Sequence, residues 1–180
     1  MVEAAAAFVA WLGVSMIVLA DGRRGLGLGV ALAGLGLAAI VFQGHGLVAA
    51  AALAVGAAIA AARHLVSGSA GWQIMPPGST PRLVLCIGAG LLALWIGFGI
   101  TTGTGAALRF AVMSVVGLAG ARVLASDDPA VLLTAVALLA LAIAAAAGLS
   151  HSAPGMWPYV AAGLIAAAVG WLPVRTPDAA

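Results

Sequence analysis

The sequence predicts an all-α fold: a polytopic integral membrane protein with a bundle of about seven transmembrane helices. Hydrophobic residues make up 64% of the chain and charged residues only 7%, whereas soluble domains carry about 25% charged residues. The apolar residues form runs close to the roughly 20 residues that a helix needs to cross the hydrocarbon core. Strands are excluded because these runs show no period-two alternation of polar and apolar residues.

Short breaks containing Gly, Pro, Asp or Ser divide the chain into segments of helical length. The division between the second and third segments is a short turn, Gln43-Gly44-His45, which requires a tight hairpin. So short a turn leaves open whether the second and third segments cross the membrane separately. The seven predicted spans are Ala4–Ala20, Gly25–Phe42, Gly46–Ala62, Leu83–Thr101, Ala106–Ala125, Pro129–Leu149 and Trp157–Pro173.

The longest polar connection is residues 67–81, SGSAGWQIMPPGSTP. It divides a single transmembrane domain, residues 1–180, into a three-span block, 1–66, and a four-span block, 82–180. The chain starts without the positive segment of a secretory signal, so the first span is expected to remain as a membrane anchor.

The arginines predict an orientation. With seven alternating spans, Arg109 falls on one side and the remaining arginines on the other, namely Arg23, Arg24, Arg63, Arg82, Arg122 and Arg175. The positive-inside rule makes the arginine-rich side cytoplasmic, with residues 67–81 there, the N-terminus outside and the C-terminus inside. All seven basic residues are Arg and none is Lys. This bias suggests a GC-rich bacterial genome, and the expected location is the bacterial cytoplasmic (inner) membrane.

Arg109 is the leading candidate for a site, one turn inside the outer end of the fifth span. It could contact an anion, a lipid or a partner carboxylate at the outer interface, where His45 and His151 are further candidates. The alternative is a snorkelling arginine whose stem carries the charge to the interface. In that case lysine would replace it with little effect.

No catalytic residue, metal site or cofactor is predicted. His64 is expected a membrane thickness away from the other two histidines, so the three cannot form a metal set. No carboxylate lies mid-span, which weighs against an ion-coupled pump or an intramembrane hydrolase.

Asp21 is expected to pair with Arg23 or Arg24. The few charges form no basic patch for nucleic acid.

Small residues four positions apart predict helix-packing faces, because they let helix backbones approach closely. Gly34 lies on a different part of the surface of the second span, and it is expected to tolerate a large side chain better than Gly29 does. The predicted packing residues are Gly25, Gly29 and Ala33 in the second span, and Gly117 and Ala121 in the fifth.

The segment Asp128–Ala135, DPAVLLTA, resembles the aspartate-proline start of an apolar helix in small membrane subunits of complex I-like and multisubunit antiporter assemblies. It departs from that pattern in spacing, and the glutamine expected there is missing. The resemblance covers about eight residues. It implies an accessory-subunit role and assigns no functional residue.

Three functions follow as expectations. The first is a non-catalytic accessory or scaffold subunit of a bacterial, possibly energy-transducing, membrane complex, with the lipid bilayer and other membrane subunits as partners. The second is a small transporter or channel for a neutral or weakly polar solute. The third is a lipid-acting membrane enzyme that uses Arg109 or the outer histidines. The polar groups for a solute path would be Thr101, Thr102, Thr104 and Ser114.

Overall fold

Six α-helices and one π-helical turn account for most of the described residues in this computed structural model. The structure describes residues 1–66, 71–76, 78–100, 104–126, 129–150, 155–169 and 171–172. The helices are α1 (Val2–Leu19), α2 (Arg23–Val66), α3 (Thr80–Trp95), α4 (Ala106–Leu124), α5 (Pro129–Ala147) and α6 (Trp157–Val169), and the π-helical turn Ile96–Ile100 continues α3. Within these ranges the one β-type contact is an isolated bridge between Ala20 and Ile74.

Among the described residues, five helical segments are long and apolar enough to cross a membrane: α1, α2, α3 with its π-helical turn, α4 and α5. Helix α6, with 13 residues, is shorter. A continuous helix bonds its own backbone N–H and C=O groups, as a segment surrounded by hydrocarbon must. The described chain is all-helical and compatible with a membrane-embedded protein.

The predicted count of seven helices is not supported, because the second and third predicted spans belong to one helical element, α2. Only Gly46 inside α2 has non-helical backbone angles, with φ 80° and ψ −178°. Two helices, one before and one after Gly46, therefore join within α2 without an intervening loop. Helices occupy the other five predicted segments, with ends that differ by a few residues.

The two parts of α2 on either side of Gly46 lie against each other. A side chain at Gly34 would collide with Cβ of Ala57, and one at Gly27 would lie 3.1 Å from the carbonyl oxygen of Ala61. A positive φ of this size is accessible to Gly without the steric cost that other residues meet. The glycine therefore lets α2 fold back on itself as a hairpin.

Close backbone approach holds the bundle together. A Cβ at Gly13 of α1 would lie 2.9 Å from Cα of Ala33, and one at Gly56 of α2 would lie 2.7 Å from Cα of Gly163. Helices α1, α2, α4, α5 and α6 share one apolar core. Helix α3 lies at its edge and buries only three side-chain positions, Cys86, Gly90 and Ala93.

The contacts define two ends of the bundle. At the arginine-rich end, Asp21 bonds to Arg82 and Arg122. At the opposite end, the rings of His45 and Tyr159 lie 5.3 Å apart. The five arginines of the described residues other than Arg109 lie in the segments that meet at the arginine-rich end: Arg23, Arg24, Arg63, Arg82 and Arg122. Arg175 lies outside the described residues.

Candidate functional site

An ion-pair cluster of Asp21, Arg82 and Arg122, hereafter the Asp21 cluster, joins three helices at the arginine-rich end. Nη1 of Arg82, in the first turn of α3, donates to both carboxylate oxygens of Asp21 at 3.0 Å. Nη2 of Arg122, in the last turn of α4, donates to Oδ1 of the same carboxylate. The carboxylate therefore ties the end of α1 to the start of α3 and the end of α4.

These partners correct the expectation that Asp21 pairs with Arg23 or Arg24. The bound arginines are 61 and 101 residues away in sequence. Arg23 and Arg24 belong to the first turn of α2, which starts beyond the turn that carries Asp21. The sequence holds no signal for so distant a pairing, apart from the position of Arg82 and Arg122 at helix ends on the same side.

Burial makes Arg122 the most constrained member of the cluster. Its side chain is 6% exposed, whereas those of Asp21 and Arg82 are about a third exposed, at 33% and 32%. A buried charge costs several kcal/mol unless a counter-charge and hydrogen bonds compensate it. Asp21 supplies that compensation.

Backbone hydrogen bonds from the loop before α3 fix the position of Asp21. The amide of Asp21 donates to the carbonyl of Gln73 at 3.2 Å, and that of Met75 donates to the carbonyl of Leu19 at 3.0 Å. Arg24 donates its amide to the carbonyl of Gly71. The loop thus closes over the turn between α1 and α2 and leaves the carboxylate facing α3 and α4.

A second polar contact at the same end joins α2 to α5. The Thr134 hydroxyl donates to the carbonyl of Ala130 at 2.7 Å, and its oxygen lies 3.1 Å from Nε2 of His64. When the hydroxyl proton is donated to Ala130, the Thr134 oxygen can accept from the tautomer of His64 that carries Nε2–H. His64 is thus engaged in helix packing.

The sequence predicts His45 and His151 as contact residues at the outer interface. The His45 ring packs against the Tyr159 ring, and its Cε1 lies 2.7 Å from the position that a Cβ at Gly148 would take. His45 therefore packs against α6 and the residue that follows α5. His151 lies outside the described residues. Within the described ranges, no group of three His, Cys, Asp or Glu side chains is placed to hold a metal ion.

Arg109 bonds to backbone carbonyls of its own chain. Nη1 donates to the carbonyl of Thr104 at 2.8 Å, and Nη2 donates to the carbonyl of Gly97 at 3.4 Å. Gly97 belongs to the π-helical turn after α3. The guanidinium therefore braces the connection between α3 and α4, a role that neither the site interpretation nor the snorkelling interpretation included.

Arg109→Lys is expected to destabilise the protein by about 1–2 kcal/mol, because an ammonium group cannot span two carbonyls as the planar guanidinium does. This replaces the expectation of a nearly neutral change. The measurement is unfolding in a mild detergent. Arg24→Lys is the matched control, since Arg24 is exposed and its side chain makes no bond in the described part of the chain. Equal stability of the two variants would contradict the bracing role.

The predicted packing residues fall into two groups. Gly25, Gly29 and Ala33 lie on the face of α2 that contacts α1 and the turn after it. At Gly117 a Cβ would meet no heavy atom within 4 Å, and Gly117 is exposed on α4. Ala121, one turn later, is half-buried. The first group therefore packs within the chain, and Gly117 faces away from it.

Apolar grooves open on the bundle surface at two places in the described part of the chain. One, of about 310 Å³, lies between α1, α3 and α4 and includes Phe8, Trp11, Leu94 and Phe110 in its wall. The other, of about 470 Å³, lies between α5 and α6. Every lining side chain of both grooves is apolar. Such surfaces suit acyl chains or helices better than polar solutes.

Comparison with known proteins identifies no relative. No protein-family model, curated protein or solved structure matches the chain.

Proposed function

We propose that the chain is a non-catalytic accessory or scaffold subunit of a bacterial membrane complex, which offers helix faces to partner membrane proteins. The observation that carries the proposal is the outward face of α4. A Cβ at Gly117 or Gly120 would meet no heavy atom within 4 Å. Exposed Met113, Val116 and Leu124 lie at helical spacing around these two glycines.

Glycines inside the bundle show what the open glycines of α4 can allow. Inside the bundle, Gly13, Gly29 and Gly56 lie where backbones of neighbouring helices approach closely. Small residues allow the same approach between helices of different chains. The open glycines of α4, flanked by larger apolar side chains, therefore suit a partner transmembrane helix.

Gly117→Leu tests the proposal, because it fills the open face without touching the bundle. We expect the variant to fold as the parent does and to lose a partner that co-purifies in stoichiometric amount from native membranes in mild detergent. Gly88→Leu is the control, since a Cβ at Gly88 of α3 also meets nothing within 4 Å. Parent protein that purifies alone would contradict a subunit role, whereas a partner retained by Gly117→Leu would contradict α4 as the face that binds it.

A transporter or channel for a neutral solute is the second candidate, supported by buried hydroxyl groups. The side chains of Ser114 and Ser15 are buried in α4 and α1. The Ser114 hydroxyl has no partner in the described part of the chain, and Ser15 lies beside the Cys86 thiol. Thr101 and Thr102 lie outside the described residues. Solute uptake by vesicles containing the purified chain, abolished by Ser114→Ala, would favour this function.

The orientation belongs to the same proposal. If the two parts of α2 cross separately, seven crossings place the N-terminus outside and the C-terminus in the cytoplasm, by the positive-inside rule. In intact cells, an impermeant thiol reagent should label Ser150→Cys and leave Thr80→Cys unlabelled, since these exposed residues lie at opposite ends of the bundle. Labelling of both from outside would contradict seven crossings.

A further inference from the structure

Arg82 has hydrogen-bond donors that the chain does not use. Its Nη1 serves both oxygens of Asp21. In the described part of the chain, no partner is found for its Nε or Nη2. A guanidinium presents five N–H donors in a planar fork. With its side chain 32% exposed, Arg82 can offer the remaining edge of that fork to a ligand from outside the chain.

The charges around Arg82 favour an anion. Two guanidinium groups share one carboxylate, so the Asp21 cluster carries a net charge of +1. Arg23 and Arg24 follow Asp21 by two and three residues, and their side chains form no ion pair within the described residues. The local excess of positive charge attracts anions to this end of the bundle.

The N-termini of two helices add to the positive charge near Arg82. Helix α2 begins at Arg23 and α3 at Thr80, next to Pro81 and Arg82. Helix N-termini carry partial positive charge and exposed N–H groups, which stabilise nearby anions. Arg122 adds a buried charge whose Nε has no partner in the described part of the chain. The charge excess is thus built into the fold.

We propose that the Asp21 cluster binds a phosphate group, from a lipid headgroup or from free phosphate, with Arg82 as the bidentate donor. Asp21 holds Nη1 of Arg82, which leaves the other edge of the guanidinium for two phosphate oxygens. Arg122 is a positioning residue that fixes the carboxylate. The cluster lies at the ends of apolar helices, where lipid phosphates are found. The inference is independent of the proposed subunit function.

Arg82→Lys is the decisive variant, since lysine keeps a positive charge for Asp21 and lacks the second donor edge. The ligands are phosphatidylglycerol, phosphatidylcholine and inorganic phosphate, each added to the full chain in a neutral detergent at constant ionic strength. Apparent affinities come from the ligand-dependent rise in unfolding temperature. Arg63→Lys is the control, an arginine at the same end that bonds the carbonyl of Leu172.

We expect phosphatidylglycerol to stabilise the parent more than phosphatidylcholine does. Its affinity should fall about tenfold in Arg82→Lys, through loss of a charge-assisted hydrogen bond, and by less than about twofold in Arg63→Lys. Stabilisation by inorganic phosphate that shows the same dependence on Arg82 would assign the site to a free anion. If none of the three ligands stabilised the parent in a way that depends on Arg82, the proposal would be overturned, as it would by equal losses in the two variants.

Discussion

Asp21→Asn should destabilise the protein by about 3 kcal/mol. The change removes the negative charge that compensates Arg122, whose side chain is 6% exposed. Removal of one partner from a buried ion pair typically costs about 3–5 kcal/mol, because the other charge stays buried. The lower value is expected here because a third of the Asp21 side chain is exposed and water screens the pair. Unfolding in a mild detergent measures the loss.

A double variant separates the loss of the charge that compensates Arg122 from other effects of a substitution at Asp21. Asp21→Asn combined with Arg122→Met removes both charges and keeps an apolar stem, so it should be more stable than Asp21→Asn alone. Glu3→Gln, a charge removal at an exposed site on α1, should change stability by less than about 0.5 kcal/mol. If the double variant were the less stable one, compensation of Arg122 by Asp21 would be ruled out.

Gly29→Leu should destabilise the protein by about 3 kcal/mol and loosen α1 from the bundle. A Cβ at this position would already lie 2.5 Å from Cγ1 of Ile17 and 2.8 Å from the carbonyl oxygen of Gly13. Overpacking typically costs about 1–3 kcal/mol. The upper value is expected because backbone atoms of α1 cannot rotate away as a flexible side chain can.

Gly117→Leu is the matched control, since the same side chain there enters open space. It should change stability by less than about 0.5 kcal/mol. Gly34→Leu should resemble Gly29→Leu, because a side chain there meets Ala57 across the α2 hairpin. This prediction replaces the expectation of a milder effect at Gly34. Similar unfolding temperatures for Gly29→Leu and Gly117→Leu would contradict the claim that Gly29 is required for the close approach of α1 to α2.

The spacing of small residues predicts which side chains permit close approach, and it does not identify what approaches. Gly29 and Gly117 both belong to small-residue patterns of the same spacing. One lies against α1 and the other against nothing in the described chain. The difference depends on which helices become neighbours, and a pattern along one helix contains no information about its neighbours.

Hydropathy by itself determined that the chain is helical and compatible with a membrane, because backbone polar groups in hydrocarbon must be satisfied within a helix. The positions of the polar breaks between apolar runs also predicted that most arginines lie at one end of the bundle. Only the tertiary structure decided that Asp21 binds Arg82 and Arg122, since ion pairs between helix ends depend on distances that the sequence does not contain. It likewise decided how the two halves of α2 join, since the sequence pattern does not show that Gly46 alone, with φ 80°, reverses the chain without a loop.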